Sequence, residues 1–147
     1  MTPRIARTTQ IAALVLVLAL VPAAFAAKAS HGGGGKNDGT SSISLHEPLV
    51  YDANGDGVPN WGDTVRFDVS TTVTTEPFVE LICSQNGVVV YGANTGYFDS
   101  YAWPWTQNMK LGSQMWPAGD ADCVATMFTF RNGHRWNLAA KSFTAYG

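Results

Sequence analysis

Two Asn-Gly pairs, Asn86-Gly87 and Asn132-Gly133, each stand between two runs that alternate apolar and polar residues. Such a pair suits a two-residue hairpin turn, because both central positions need positive φ, which asparagine tolerates and glycine adopts freely. Val79, Leu81 and Cys83 alternate with Phe78, Glu80 and Ile82 ahead of the first pair, and Val88 to Tyr91 follows it. Ala121 to Phe130 leads into the second pair and Arg135 to Thr144 leads out of it. Two antiparallel hairpins are therefore expected, each with alternate side chains on opposite faces. Val65, Phe67 and Val69, alternating with Arg66, Asp68 and Ser70, read as a further strand. Beyond the first 27 residues, no dozen positions repeat apolar residues at three and four, and glycine, proline and Thr/Ser breaks recur every eight to twelve positions. The expectation is an all-β, helix-poor domain, an antiparallel two-sheet sandwich of about seven strands.

The N-terminus has a different character. Arg4 and Arg7 precede the apolar run Ile11 to Val21, and Pro22 and the small-residue stretch Ala23-Ala24-Phe25-Ala26-Ala27 follow it. This is the layout of a secretory signal, read over residues 1–26, and the run is short for a membrane span. The expected product is exported in the bacterial manner and secreted or extracellular, with no stable membrane insertion after cleavage. Residues 27–42 hold His31-Gly32-Gly33-Gly34-Gly35 and Thr40-Ser41-Ser42, a composition expected of a disordered tether. The folded domain is then 43–147. Charged residues make up only 14% of the chain and apolar ones 46%, too little charge for a chain disordered throughout. The net charge is −2, and loss of the signal's two arginines makes it more negative. That leaves no basic cluster for a phosphate backbone, so nucleic acid is not an expected partner.

Cys83 and Cys123 both fall in expected strands, and in an exported chain they are expected to pair. Closing a loop of this length contributes about 4 kcal/mol on the chain-entropy account. If the strands that carry them are sheet neighbours, the bridge runs within one sheet rather than between two.

The segment Asp52-Ala53-Asn54-Gly55-Asp56-Gly57-Val58-Pro59-Asn60-Trp61-Gly62-Asp63 carries the densest chemistry. Calcium takes six to eight hard oxygens, and a twelve-residue loop delivers them from positions 1, 3, 5, 7, 9 and 12, with a glycine at 6. Those positions hold Asp52, Asn54, Asp56, the Val58 carbonyl, Asn60 and Asp63, with Gly57 at the turn. Aspartate at position 12 is the choice seen in dockerin-like loops. Leu49 to Tyr51 and Thr64 to Ser70 flank the loop as strands rather than helices. Without a cation, three carboxylates crowded into one tight loop are expected to repel and hold it open.

The run Asp52, Asn54, Gly55, Asp56, Gly57, followed by Gly62-Asp63-Thr64-Val65, resembles the Asp-rich inter-strand loop of bacterial immunoglobulin-like repeats. Gly119-Asp120-Ala121-Asp122-Cys123-Val124-Ala125 is similar to the penultimate strand of immunoglobulin-like domains. The resemblance implies an immunoglobulin-like β-sandwich stiffened by calcium, with no enzymatic activity attached, serving as an extracellular or cell-surface interaction module for a protein or glycan partner.

Tyr97, Phe98, Tyr101, Trp103 and Trp105 lie within nine residues. Exposed, such rings would stack on sugars, as in carbohydrate-binding modules, which is the alternative function; buried, they fill core volume. A small secreted enzyme is the second alternative, without positive support. Glu47, Glu76 and Glu80 form no assignable carboxylate pair, His31, His46 and His134 are scattered, and no nucleophile, phosphate-loop or zinc motif is present.

Overall fold

The computed structural model describes residues 39–101 and 107–147. Eight strands follow one another in these residues: β1 (Ser41–Leu45), β2 (Thr64–Val65), β3 (Phe67–Thr71), β4 (Phe78–Gln85), β5 (Val88–Gly96), β6 (Met109–Lys110), β7 (Ala121–Arg131) and β8 (His134–Ala145). No helix occurs among the described residues, and every strand pairing is antiparallel. The fold is all-β, as the alternation requires.

Both hairpins form where the Asn-Gly pairs stand. Asn86 and Gly87 have φ of 51° and 80°, and Asn132 and Gly133 have φ of 50° and 77°, the doubly positive turn that matches the strands' own twist. These hairpins make a four-stranded sheet in the order β5-β4-β7-β8. Val79, Leu81 and Cys83 of β4 and Cys123, Ala125 and Met127 of β7 are buried on one face. Against them pack Ile43, Leu45, Val65, Phe67, Val69, Met109 and Leu111 from the short strands and the residue after β6. A register shift beside Met127 leaves Leu138 as an extra residue in β8, and the consecutive residues Leu138 and Ala139 both pack on the core.

The short strands form two separate pairs, β1-β3 and β2-β6, so the sheets number three rather than the expected two. The cause is a change of partner along 64–71: Thr64 and Val65 pair with β6, whereas Phe67 to Thr71 pair with β1. Arg66 lies at the switch, its carbonyl accepting from His46 N–H at 2.9 Å. Pro48, two residues on, has no N–H with which to extend the β1 ladder.

Two boundaries move. Ser41 and Ser42, read as tether, belong to β1 opposite Thr71 and Ser70, because the hydroxyl-rich end of β3 supplies partners that composition does not reveal. The ladder reaches back further, with Thr72 N–H donating to Thr40 C=O at 3.0 Å. Residues 1–26 and the tether up to residue 38 lie outside the described residues. Leu49 to Tyr51, expected as a strand, contributes only a single bridge from Tyr51 to Thr64.

Cys83 and Cys123 are bonded, directly opposite each other in the β4-β7 ladder, with Cα atoms 4.0 Å apart. The bridge therefore runs within one sheet. Both residues are buried in the core, at 0% and 1% exposure, so removing the bond also disturbs packing. Cys83→Ser is expected to destabilise the domain by about 2–4 kcal/mol in denaturant titration. The unreduced native protein should present no titratable thiol, and a free thiol in that assay would contradict the bridge.

Candidate functional site

The Asp52–Asp63 loop is closed at its base by Tyr51 and Thr64, which exchange backbone hydrogen bonds at 3.2 and 2.9 Å. Asp63 lies just inside that closure and is wholly buried. Its two carboxylate oxygens accept from Ala53 N–H and Asn60 N–H, both at 2.8 Å, so one side chain ties the two limbs of the loop together. A buried carboxylate is tolerated only when both oxygens are bonded, and charge-assisted bonds from backbone amides do this without a second charge.

The exposed part of the loop is built on the same principle. Asp52 accepts from Gly55 N–H at 2.7 Å and Gly57 N–H at 2.8 Å, with φ of 75° and 79° at those glycines turning the amides inward. Asp56 accepts from Val58 N–H at 2.9 Å, from the Asn54 amide at 2.9 Å and from the Asn60 amide at 3.0 and 3.1 Å. The Val58 N–H holds the Asp56 carboxyl below the usual carboxylate range; partial desolvation opposes this, and the Asn54 and Asn60 amides add to the lowering. Asn54 Oδ1 in turn accepts from Asp56 N–H at 3.1 Å.

Each aspartate of the loop thus has amide donors of its own. Among the described residues no three His, Cys, Asp or Glu side chains converge as a metal cluster. One point in the loop does gather oxygens. The Asn60 side-chain nitrogen stands 3.0 and 3.1 Å from the two Asp56 oxygens and 2.8 Å from the Val58 carbonyl. A donor amide there fills the place between a carboxylate and a carbonyl, and turning it about its last torsion would present Oδ1 instead.

The aromatic stretch divides between two packing environments. Tyr97 is in the core, its hydroxyl donating to Gln107 C=O at 2.9 Å and accepting from Phe67 N–H at 3.2 Å. Phe98 and Tyr101 lie on the opposite face of the four-stranded sheet, where Phe98 packs edge-on to Phe78 and 4.9 Å from Tyr101. Phe78 stacks on the buried Phe128, and Arg135 covers Phe128 while pairing with Glu80 at 2.8 Å. Gly96 permits this arrangement, since a Cβ there would stand 2.7 Å from Phe98 and 2.9 Å from Tyr101. Trp103 and Trp105 lie outside the described residues.

Two arrangements escaped the sequence reading. His46 Nδ1 is 2.9 Å from Asp68, and its Nε2 is 2.9 Å from an Arg66 guanidinium nitrogen, which can only donate. Nδ1 then carries the proton toward Asp68, and the nitrogen that a general base would use is taken by the guanidinium. Alternation placed Arg66 and Asp68 on one face, but nothing in the chain pointed to His46. The other is Trp61, 52% exposed beside Gly112, which reads in sequence only as a filler inside the acidic dozen.

Comparison with protein-family models, curated proteins and solved structures found no match to this chain.

Two expectations follow from these contacts. Asp63→Asn puts an NH₂ against a backbone N–H where an oxygen stood, and should cost about 3 kcal/mol in denaturant unfolding; a loss within error of zero would show that Asp63 does not hold the loop. Burial pushes the hydroxyls of Tyr91 and Tyr97 up to about 12 from 10.0. Their folded-state values are raised, so the stability they contribute is complete below pH 10 and is lost as pH rises toward about 12. Absorbance titration should show the Tyr91 and Tyr97 hydroxyls ionising late. Tyr97→Phe should remove one of these and cost about 1–3 kcal/mol by stranding Phe67 N–H and Gln107 C=O.

Proposed function

We propose that the chain is an exported, non-enzymatic interaction domain of immunoglobulin-like sandwich architecture whose Asp52–Asp63 loop is stabilised by calcium. The sandwich reading is supported by the core, in which one face of the four-stranded sheet is covered by the two short strand pairs. The calcium reading rests on the meeting of the Asp56 carboxylate and the Val58 carbonyl at the Asn60 amide, 2.8–3.1 Å away. With that amide turned, Asn60 Oδ1 joins the same set, and Asp52 and Asn54 supply further oxygens from the exposed side of the loop. Each Asp52 oxygen spends one acceptor position on a glycine amide and keeps another. Asp63, buried and bonded to both limbs, serves in this reading as the clamp that positions the ligands, and water completes the shell.

In this reading calcium adds stability to a loop whose aspartates also accept from backbone amides. If affinity is that of a sensor-type site, about 10 μM, millimolar calcium stabilises by about 2.7 kcal/mol, or about 10 °C in melting temperature for a domain of this size. Differential scanning calorimetry in chelator and in millimolar calcium should show that rise. Magnesium should reproduce it poorly because it gives up its waters reluctantly. Asp56→Ala should melt cooperatively and no longer respond. Equal melting points in chelator and calcium would overturn the reading and leave the twelve residues as an amide-capped turn.

A further inference from the structure

Of the three tryptophans among the described residues, Trp116 is buried and Trp136 lies beneath the Arg131 guanidinium, 3.6 Å from its ring centre. Trp61 alone among them leaves half its surface, 52%, to solvent. Its backbone is held from both sides: Trp61 N–H donates to Tyr146 C=O and Gly62 N–H to Leu111 C=O, each at 2.7 Å. The indole lies against Gly112, where a Cβ would stand 3.2 Å from Cε2 and Nε1 of the ring, and where φ is +140°. A large ring is thus kept in place at the surface by contacts that any other residue at 112 would disturb.

Beside the ring is an open cavity of about 440 Å³ lined by Trp61, Lys110, Leu111, Gly112, Ser113 and Gln114. That volume falls within the range of small-ligand sites. Lys110 and Gln114 are exposed and bring an ammonium donor and an amide that both donates and accepts. The Ser113 hydroxyl is already committed to the Val90 carbonyl, so the polar groups free to meet a ligand are those two.

We infer that this cavity binds a neutral pyranose ring of a glycan, stacked on Trp61 and hydrogen-bonded by Lys110 and Gln114. A pyranose presents a flat face of C–H groups and a rim of hydroxyls, and the site offers one flat apolar face with donors and an acceptor at its edge. Charge narrows the choice. One lysine is too little for a phosphate or sulfate, and the cavity lining offers no second cation. Lys110 disfavours cations, and no carboxylate lines the cavity to receive one. The inference names a partner class for the interaction domain proposed above and needs no ion in the loop.

The test is a titration of the exported protein with hexasaccharides of β-1,4-linked glucose, mannose and N-acetylglucosamine and of α-1,4-linked glucose, in chelator and again in calcium. Tryptophan fluorescence and calorimetry provide the readouts. At least one saccharide should give saturable binding, weakened about tenfold or more in Trp61→Ala and largely retained in Trp61→Tyr. Gln114→Ala, an exposed change that leaves the ring in place, should weaken binding severalfold and keeps the test valid if Trp61→Ala fails to fold. No response from any of the four saccharides, or equal affinity in wild type, Trp61→Ala and Gln114→Ala, would overturn the inference. Either result leaves the calcium dependence of the melting point untouched, so the two readings fail separately.

Discussion

The pairing of β4 with β7 sets Cys83 directly opposite Cys123 and Val79 opposite Met127. A slip of one residue would carry Val79, Leu81 and Cys83 to the other face, exchanging core for surface along the whole strand. The disulfide adds a covalent lock to a register that the hydrophobic pattern already favours. The rest of the β-structure depends on this parity: β5 and β8 hang on the central pair through the two tight turns, and the short strands find an apolar face to cover because it is maintained.

The same parity gives the sheet a second, smaller apolar face. Phe78 and Phe128 are a facing pair on the side away from the core, and Phe98, Tyr101 and Phe130 gather around them. Arg135 caps the cluster and is neutralised by Glu80, a way of covering aromatic surface with the stem and plane of a charged side chain. This explains how an aromatic-rich segment serves two packing environments, with Tyr97 turned one way and Phe98 the other.

At the far end of the core, the buried Asp63 carboxylate organises what the sheets leave open. It ties residues 53 and 60 through their amides, and its own carbonyl accepts from Leu111 N–H at 2.7 Å, joining the loop to the segment after β6. Trp61 is positioned by this arrangement, two residues before the clamp and pressed against Gly112. The loop and the Trp61 surface are thus held by one connected set of hydrogen bonds.

Alternation and turn chemistry are local, so the sequence by itself determined the all-β class, both hairpins with their Asn-Gly turns, the inward residues of β3, β4 and β7, and the loop as a place where oxygens concentrate. Residues adjacent in the chain carry that information, because side-chain direction in a strand has a period of two. Only the tertiary structure decided that Ser41 and Ser42 join the sheet, that 64–71 changes partner at Arg66, and that Asp63 is buried under the loop while Asp52 is half-buried and Asp56 exposed. It also decided that Tyr97 is core and Trp61 surface, which no property of tyrosine or tryptophan distinguishes. These outcomes depend on partners 10 to 51 positions away, such as Thr71 for Ser41, Gln107 for Tyr97 and Gly112 for Trp61, whose proximity exists only once the sheets have packed.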